Sequence, residues 1–354
     1  MRHIKSIPSK DIHLAEYDDV IDVRSPLEFA EDNLPDSINL PVLSNSEREE
    51  VGTIYKQMSP FEARRRGAAM VSHNIAEHLN NYFFEKEKDY SPIIYCWRGG
   101  ERSRSIATIL ESIGWKPVLL EGGYQAYRKH IVESFDKLLQ NNFHFKIISG
   151  LTGSGKTKLL KHLNECGMQI IDLEGLAAHR GSALGEETSI EQPSQKKFER
   201  LLYQKILSFS IDQPIFLESE SSRIGNLQIP SNFWTIMKSS PVLEINVDRK
   251  YRVDFLLREY PHFTESPDLL KSKLEKIKHL KIDSVFNTWI SMVEENNHEG
   301  FVHSILKDHY DAAYLSSRRK TYSREPDHTF SLNEINDQSL NRLAKEIAGS
   351  LSSL

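Results

Sequence analysis

The run Gly150-Leu-Thr-Gly-Ser-Gly-Lys-Thr157 constrains the fold of this chain more than any other feature, because it fills every fixed position of the GxxxxGK[ST] phosphate loop. The motif requires a strand before it and a helix after it. Both are at hand: HFKIIS precedes the glycines and KLLKHL follows them. In that setting the glycines let successive backbone N–H groups face an anion, Lys156 adds a point charge, and Thr157 offers a hydroxyl to Mg²⁺. The expected phosphate-binding residues are therefore Gly150, Gly153, Ser154, Gly155, Lys156 and Thr157, with Thr157 as a Mg²⁺ contact. The implied ligand is a di- or triphosphate. Asp172 closes the next strand and Glu218 ends the apolar run IFL, so both are candidate supporting acids. The competing reading is that they cap helices or face water.

A strand, glycine loop and helix imply a layered α/β unit, and the flanking sequence extends it. MQIIDLEG (168–175), QPIFLESE (213–220) and PVLEINVD (241–248) are further strand candidates, separated by segments long enough for crossover helices. Beyond Asp248 the pattern turns mainly helical, clearest in KSKLEKIKHLKIDSVFNTWISMVEEN and in a terminal SLNEINDQSLNRLAKEIAGSL. The chain is 354 residues long, which suits two domains. The first 138 residues repeat the alternation of short apolar runs and helical stretches. DDVIDVR (18–24), SPIIYC (91–96) and KPVLLEGG (116–123) read as strands, with helices between the first two. The expected fold is α/β throughout: a domain over 1–138 with a helical insertion, a P-loop NTPase-like domain over 143–250, and a mainly helical extension over 251–354.

The rest of the composition narrows the chemistry. Lys and Arg number 45 against 50 Asp and Glu, for a formal charge of −5, so a surface given over wholly to nucleic acid is disfavoured and a local basic patch remains allowed. No apolar run reaches membrane-helix length and the opening residues lack a signal-peptide core, so no membrane insertion and a cytoplasmic location are expected. Two cysteines and 14 histidines without an HxxxH or HExxH pair give little support for a zinc centre. Cys166 is expected to pack near the end of the phosphate-loop helix.

Cys96 is different. In YCWRGGERSRS it ends a strand and is followed by a glycine-containing loop, by Arg98 and Arg102, and by the helical run IATILESI. Loop amides and a helix N-terminus form a cradle for an anion, and the same field favours the thiolate of Cys96.

Together with IDVRSPLEFAEDNLPDSINLP (21–41) and LLEGGYQAYR (119–128), this stretch resembles the rhodanese domain, whose catalytic cysteine carries sulfur or selenium. The usual sulfurtransferase loop has four residues between cysteine and arginine. Here there are five, Trp97 to Glu101, as in the rhodanese-fold phosphatases that cradle phosphate. Joined to GLTGSGKT, DLEGLAAHRGSALG, LESESSRIGNLQIP and HYDAAYLSSRR, the whole resembles the tRNA 2-selenouridine synthase family of bacteria and archaea. That resemblance implies replacement of the sulfur of wobble 2-thiouridine in the tRNA anticodon arm by selenium. Selenophosphate would be the donor, and the intermediate an S-geranyl-2-thiouridine made from geranyl diphosphate; no tightly bound cofactor is implied beyond Mg²⁺ at the phosphate loop.

On this reading Cys96 accepts selenium as a sulfur-bound selenide, while Arg98, Arg102 and the loop amides neutralise the phosphate. Gly150 to Thr157 grips the geranyl donor. His179, Arg180 and Arg223 lie in the family-like stretches as possible support, and Asp22 with Arg24 is expected to form a structural ion pair bracing the cysteine loop. Lysines of KSKLEKIKHLK, Arg64 to Arg66, and Arg318, Arg319 and Lys320 are candidate contacts to tRNA phosphates. Two rivals stay open: a rhodanese-fold phosphatase fused to a P-loop small-molecule kinase, and a non-catalytic tRNA-binding sulfur-relay adaptor.

Overall fold

The structure is a computed structural model that describes residues 4–12, 14–179, 191–260, 266–280, 282–321 and 325–351. It divides into two compact units, Met1–Lys137 and Leu138–Leu354.

In the first unit the apolar runs become five short strands: β1 Lys5–Pro8, β2 Val20–Asp22, β3 Ser37–Asn39, β4 Ile93–Tyr95 and β5 Val118–Glu121. They form one sheet in the order β1-β5-β4-β2-β3, parallel at every pairing. A parallel sheet needs helices on its faces, which is why β2 and β4 are buried along their whole length. The helices are α1 Pro26–Glu31, α2 Asn45–Gln57, α3 Pro60–His78, α4 Glu101–Ile113 and α5 Gly123–Leu138. Their starts are written in the sequence. Ser44 accepts from the Glu47 amide while Glu47 reaches back to the Ser44 N–H at 2.7 Å, and Ser59 caps α3 with Pro60 in its first turn. Ile21, Val23, Ile94, Ile106, Leu110 and Leu119 form the core under α4.

The Asp22–Arg24 pair is such a brace. Arg24 Nη2 lies 2.6 Å from Asp22 Oδ2 with both side chains fully buried, and it also donates to the Asp32 carbonyl at 2.6 Å. The guanidinium sits 4.1 Å from the centre of the Tyr124 ring, the ring whose backbone N–H donates to the Cys96 carbonyl at 2.8 Å. The early motif therefore supports the cysteine loop through one intermediate residue.

The second unit is a five-stranded parallel sheet in the order β12-β11-β6-β8-β7. Its strands are β6 Phe145–Ser149, β7 Gln169–Ile171, β8 Ile215–Glu218, β11 Val242–Val247 and β12 His328–Leu332. A small hairpin, β9 Arg223–Ile224 and β10 Leu227–Gln228, follows β8. The first five helices are α6 Lys156–Glu165, α7 Leu173–Ala177, α8 Gln195–Leu207, α9 Ser231–Ser239 and α10 Arg249–Glu259.

Residues 251–354 belong to this unit rather than forming a region by themselves. Strand β12 pairs with β11, and the helix Asp337–Leu351 lays Leu340, Leu343 and Ile347 into one core with Leu159, Leu160 and Leu163 of α6. An edge strand with mostly exposed side chains carries little apolar pattern, so only its partner reveals it. The helices Pro267–Glu275, Asp283–Glu294 and His298–Ile305 share a separate core around Trp289 and Phe286. Cys166 caps the end of α6 and packs, partly buried, against the sheet core. Among the described residues no helix is long and apolar enough to cross a membrane.

Candidate active sites

Both motifs sit where open parallel sheets place their sites, at the C-terminal end of a central strand next to a change in winding direction. In the first unit that strand is β4, between β5 and β2. Cys96 follows it directly and is 4% exposed. Its Sγ accepts from the Gly100 N–H at 3.3 Å and from the Ser103 hydroxyl at 3.3 Å, so the sulfur faces the start of α4. Both donors lie at the N-terminal end of α4.

The two arginines take different positions. Arg98 is exposed on the loop and donates through Nε to Gln125 at 3.1 Å. Arg102 is committed elsewhere: its guanidinium grips Glu28 at 2.6 and 3.2 Å. Burial pushes the Glu28 carboxyl up, but the Arg102 hydrogen bond and charge and the Ser25 backbone outweigh it, so the group stays below the usual range. In this structure Arg102 ties α4 to α1, and the anion donors at the sulfur are Gly100 and Ser103.

The glycine pair after β5 closes the cradle from behind. Gly123 has φ +59°, and a Cβ there would lie 2.2 Å from the Cys96 carbonyl oxygen and 2.6 Å from the Gly99 nitrogen. Neither atom can yield without moving the cysteine loop. We expect Gly123→Ala to destabilise the first unit by at least about 2 kcal/mol, from left-handed backbone strain plus the clash. Thermal unfolding checks this; a variant melting with the wild type would show that the loop adapts.

In the second unit β6 is the central strand and the phosphate loop follows it. Gly153 and Gly155 both have φ +81°, the conformation that turns loop amides toward an anion. Ser154 is buried, with its hydroxyl lacking a hydrogen-bond partner. Lys156 Nζ donates to the Gly150 carbonyl at 3.0 Å. Two residues from the far end of the chain hold the loop. The Tyr314 hydroxyl accepts from the Gly150 N–H at 3.0 Å and lies 2.7 Å from Ser149 Oγ. Arg252 donates to the Thr152 carbonyl at 3.0 Å while Asp311 clamps its guanidinium at 2.8 and 2.9 Å. The stretch HYDAAYLSSRR thus reaches the phosphate loop through Asp311 and Tyr314.

Thr157 points at carboxylates. Its hydroxyl donates to Glu218 Oε2 at 2.9 Å and lies 3.4 Å from Glu174 Oε2. Glu174, Glu218 and Glu220 bring ligand oxygens within 4.8 Å of one another. Glu218 is 1% exposed, and its second oxygen, Oε1, has no hydrogen-bond partner. Burial first, then the charges of Glu174 and Glu220, push Glu218 well above the usual carboxylate range. Burial and the Glu174 charge push Glu220 up to about 8, with Lys156 opposing. Burial also raises Glu174 against the pull of Lys156.

A carboxyl raised by folding contributes stability while protonated, below its unfolded value of about 4.3, and loses that contribution as pH climbs through the folded value. Metal-free protein is therefore expected to lose stability relative to Glu220→Gln as pH rises from about 5 to about 9. Melting temperatures in chelator read the difference. Parallel pH profiles for the two proteins would contradict it.

The remaining expected residues separate. Asp172 accepts from the Gly175 N–H at 2.7 Å and so caps α7, the competing reading for this residue. His179 follows α7, its N–H bonded to the Glu174 carbonyl at 3.0 Å, and is partly buried. Arg180 lies outside the described residues. Arg223 is exposed on β9. Arg318 pairs with Glu244 at 2.7 Å, and Arg65 and Arg66 pair with Glu62 and Glu50. In KSKLEKIKHLK, Lys271 pairs with Glu294, Lys278 with Glu275, and Lys273 is buried. The side chains of Arg319 and Lys320, and Lys281 as a whole, lie outside the description.

Reasoning from residue types missed Glu174, Glu220 and Tyr314. Glu218 ends β8, Glu220 lies just beyond it with its N–H turned back to the Glu218 carbonyl at 3.0 Å, and Glu174 follows the neighbouring strand β7.

Comparison with known proteins agrees with both halves. A family model for the rhodanese-like domain matches residues 9–130, and one described as the tRNA 2-selenouridine synthase AAA domain matches residues 143–268. A tRNA 2-selenouridine synthase of Psychromonas ingrahamii is 30% identical over 86% of this chain and 89% of the relative. One of Shewanella denitrificans is 31% identical over 87% and 91%. One of Nitrosomonas europaea is 34% identical over 68% of this chain, but the chain spans only 63% of that relative.

Proposed function

The chain belongs to the tRNA 2-selenouridine synthase family, and from that premise we propose that it replaces the sulfur of wobble 2-thiouridine in tRNA by selenium from selenophosphate, passing through an S-geranyl-2-thiouridine made from geranyl diphosphate. The observation that carries the reading is the presence, on one chain, of two separate anion sites of different kinds: a thiol at a helix N-terminus and a phosphate loop.

The chemistry assigned to the phosphate loop is alkylation. The uridine sulfur forms a bond to the first carbon of the geranyl chain as the bond to diphosphate breaks. The loop amides and Lys156 stabilise the departing charge, which the reaction develops only as that bond opens. Mg²⁺, held by Thr157 and the neighbouring carboxylates, supplies Lewis-acid neutralisation of the diphosphate when bound. Alkylation converts a thiocarbonyl into a carbon bearing a thioether, so geranyl thiol becomes a leaving group for incoming selenium.

The thiol site is assigned the selenium half. Cys96 is the nucleophile: its thiolate attacks the phosphorus of selenophosphate, and the P–Se bond breaks to release selenide with no change of oxidation state. That selenide displaces geranyl thiol from the uridine, and water then hydrolyses the S–P bond. The Gly100 N–H and the Ser103 hydroxyl stabilise the phosphoryl charge. Arg98 stands on the exposed side of that loop, where it can meet the donor or the tRNA backbone. The five-residue spacing between Cys96 and Arg102 suits a phosphorylated donor. The enzyme acts on soluble tRNA in the cytoplasm.

Mass-spectrometric nucleoside analysis of bulk tRNA from a deletion strain tests the proposal. Loss of 2-selenouridine, restored by the intact gene, is expected. Persistence of 2-selenouridine would refute it, and phosphate release from generic phosphoesters by the purified protein would favour the phosphatase alternative instead.

A further inference from the structure

We propose that Tyr314 limits the phosphate loop to ligands with two phosphates, because its ring fills the place a third phosphate would take. Tyr314 stands on the helix Ala312–Thr321 and is partly buried. Its hydroxyl accepts from the Gly150 N–H at 3.0 Å and lies 2.7 Å from Ser149 Oγ and 3.3 Å from Ser219 Oγ. Ser149 ends β6, Ser219 follows β8, and the two strands are neighbours in the sheet. The side chain therefore plugs the crevice between their C-terminal ends, where open parallel sheets take their ligands.

The plug removes donors from the anion site. A phosphate loop binds by pointing backbone amides at its ligand, and the amide that opens this loop is already bonded to a phenol. Both serine hydroxyls lie within hydrogen-bond distance of the same oxygen.

Lys156 is restricted as well. Its ammonium donates to the Gly150 carbonyl and lies 6.0 Å from the centre of the Tyr314 ring. An ammonium–oxygen bond of about 2.8 Å and a van der Waals contact of about 3.5 Å use that distance before the phosphorus atom is placed. No phosphate fits between the two. The ligand is left with the stretch from Gly153 to Thr157, whose glycines at φ +81° turn the backbone toward an anion at the head of α6. A diphosphate can lie there with its organic group leading away from Tyr314, whereas a nucleoside triphosphate would have to seat its terminal phosphate on the ring. That the organic group is geranyl rests on the proposed function; the limit to two phosphates does not.

The experiment is isothermal titration calorimetry of the full-length protein with inorganic pyrophosphate and with inorganic tripolyphosphate, both in Mg²⁺. Tripolyphosphate can lay two phosphates on the loop and let the third trail into solvent, so the readout is the ratio of the two affinities. In the wild type the third phosphate is expected to gain less than about fivefold. Tyr314→Ala frees the Gly150 amide and one side of Lys156, and should shift the ratio toward tripolyphosphate by at least about tenfold, the contribution of one charge-assisted hydrogen bond. Tyr314→Phe keeps the ring and should leave the ratio near that of the wild type. General loosening of the loop would weaken both ligands together and leave the ratio unmoved, which separates a filter from a brace. Thermal melting verifies that each variant is folded. If the alanine variant does not fold, Tyr314→Leu is read in the same way, and if neither folds the wild-type ratio decides alone. A larger gain from the third phosphate in the wild type, a smaller shift in the folded truncated variant, or a shift in Tyr314→Phe as large as in that variant would each overturn the proposal. Pyrophosphate binding with a ratio that truncation does not move leaves the proposed function standing, while no pyrophosphate binding at all counts against both. Failed geranylation by a protein that shows the expected ratios counts against the proposed function alone.

Discussion

Cys96→Ala is expected to abolish formation of 2-selenouridine, by at least about a thousandfold, while S-geranyl-2-thiouridine is expected to go on forming and to accumulate. The size follows from what is removed. The sulfur is the only nucleophile at the head of α4 that receives both a backbone and a hydroxyl donor among the described residues. Loss of an activated nucleophile is not compensated by the surrounding cradle, which only stabilises charge. The substitution is also mild for the fold. Cys96 packs against Ile94 and Ile106 as a small buried group, so alanine leaves a cavity of one sulfur and the first unit should remain folded. Nucleoside mass spectrometry of tRNA treated with the variant reads both products. Undiminished selenation would remove Cys96 from the mechanism.

Lys156→Ala is expected to act one step earlier: geranylated tRNA should fall by about a hundredfold to a thousandfold, and 2-selenouridine should fall with it because its precursor is missing. Lys156 is the one ammonium placed at the loop by the motif itself, and its loss leaves the departing diphosphate to the loop amides and any bound cation. The effect should appear in the rate of the alkylation more than in tRNA binding, since the charge it meets grows in the transition state. Incubation of 2-thiouridine tRNA with geranyl diphosphate measures it. Normal geranylation by this variant would exclude the phosphate loop from the reaction.

The asymmetry between these two results reflects how differently the two centres are written in the sequence. Cys96, Gly123 and the phosphate loop were legible because each depends on local backbone geometry: a strand end, a glycine at φ +59°, a run of glycines before a helix. Local geometry leaves a local pattern. Asp172 was not decidable in the same way, because an acid at a strand end can face a ligand or cap the next helix, and only the 2.7 Å bond to Gly175 chooses. The commitment of Arg102 to Glu28 was hidden for a related reason. The partners are separated by 74 positions, and Glu28 already had a local use as the third residue of the α1 capping box.

Long-range closure accounts for the rest. β12 joins the sheet by parallel pairing with β11, and Asp327 just before it accepts from the Val242 N–H at 2.7 Å across 85 positions. Tyr314 reaches Gly150 across 164 positions. Neither contact leaves a periodic trace, so a region that reads as a helical extension turns out to complete the sheet and brace the phosphate loop. Two of the three clustered acids were missed on the same grounds: adjacency of β7 and β8 is a property of the sheet order, not of either strand.

The central claim is a division of labour between two centres, and supplying the intermediate tests it most directly. Pre-formed S-geranyl-2-thiouridine tRNA is given to each variant with selenophosphate, and 2-selenouridine is measured by nucleoside mass spectrometry. The account predicts that Lys156→Ala converts it at the wild-type rate and Cys96→Ala does not. Conversion by Cys96→Ala, or failure of Lys156→Ala to convert it, would contradict the division.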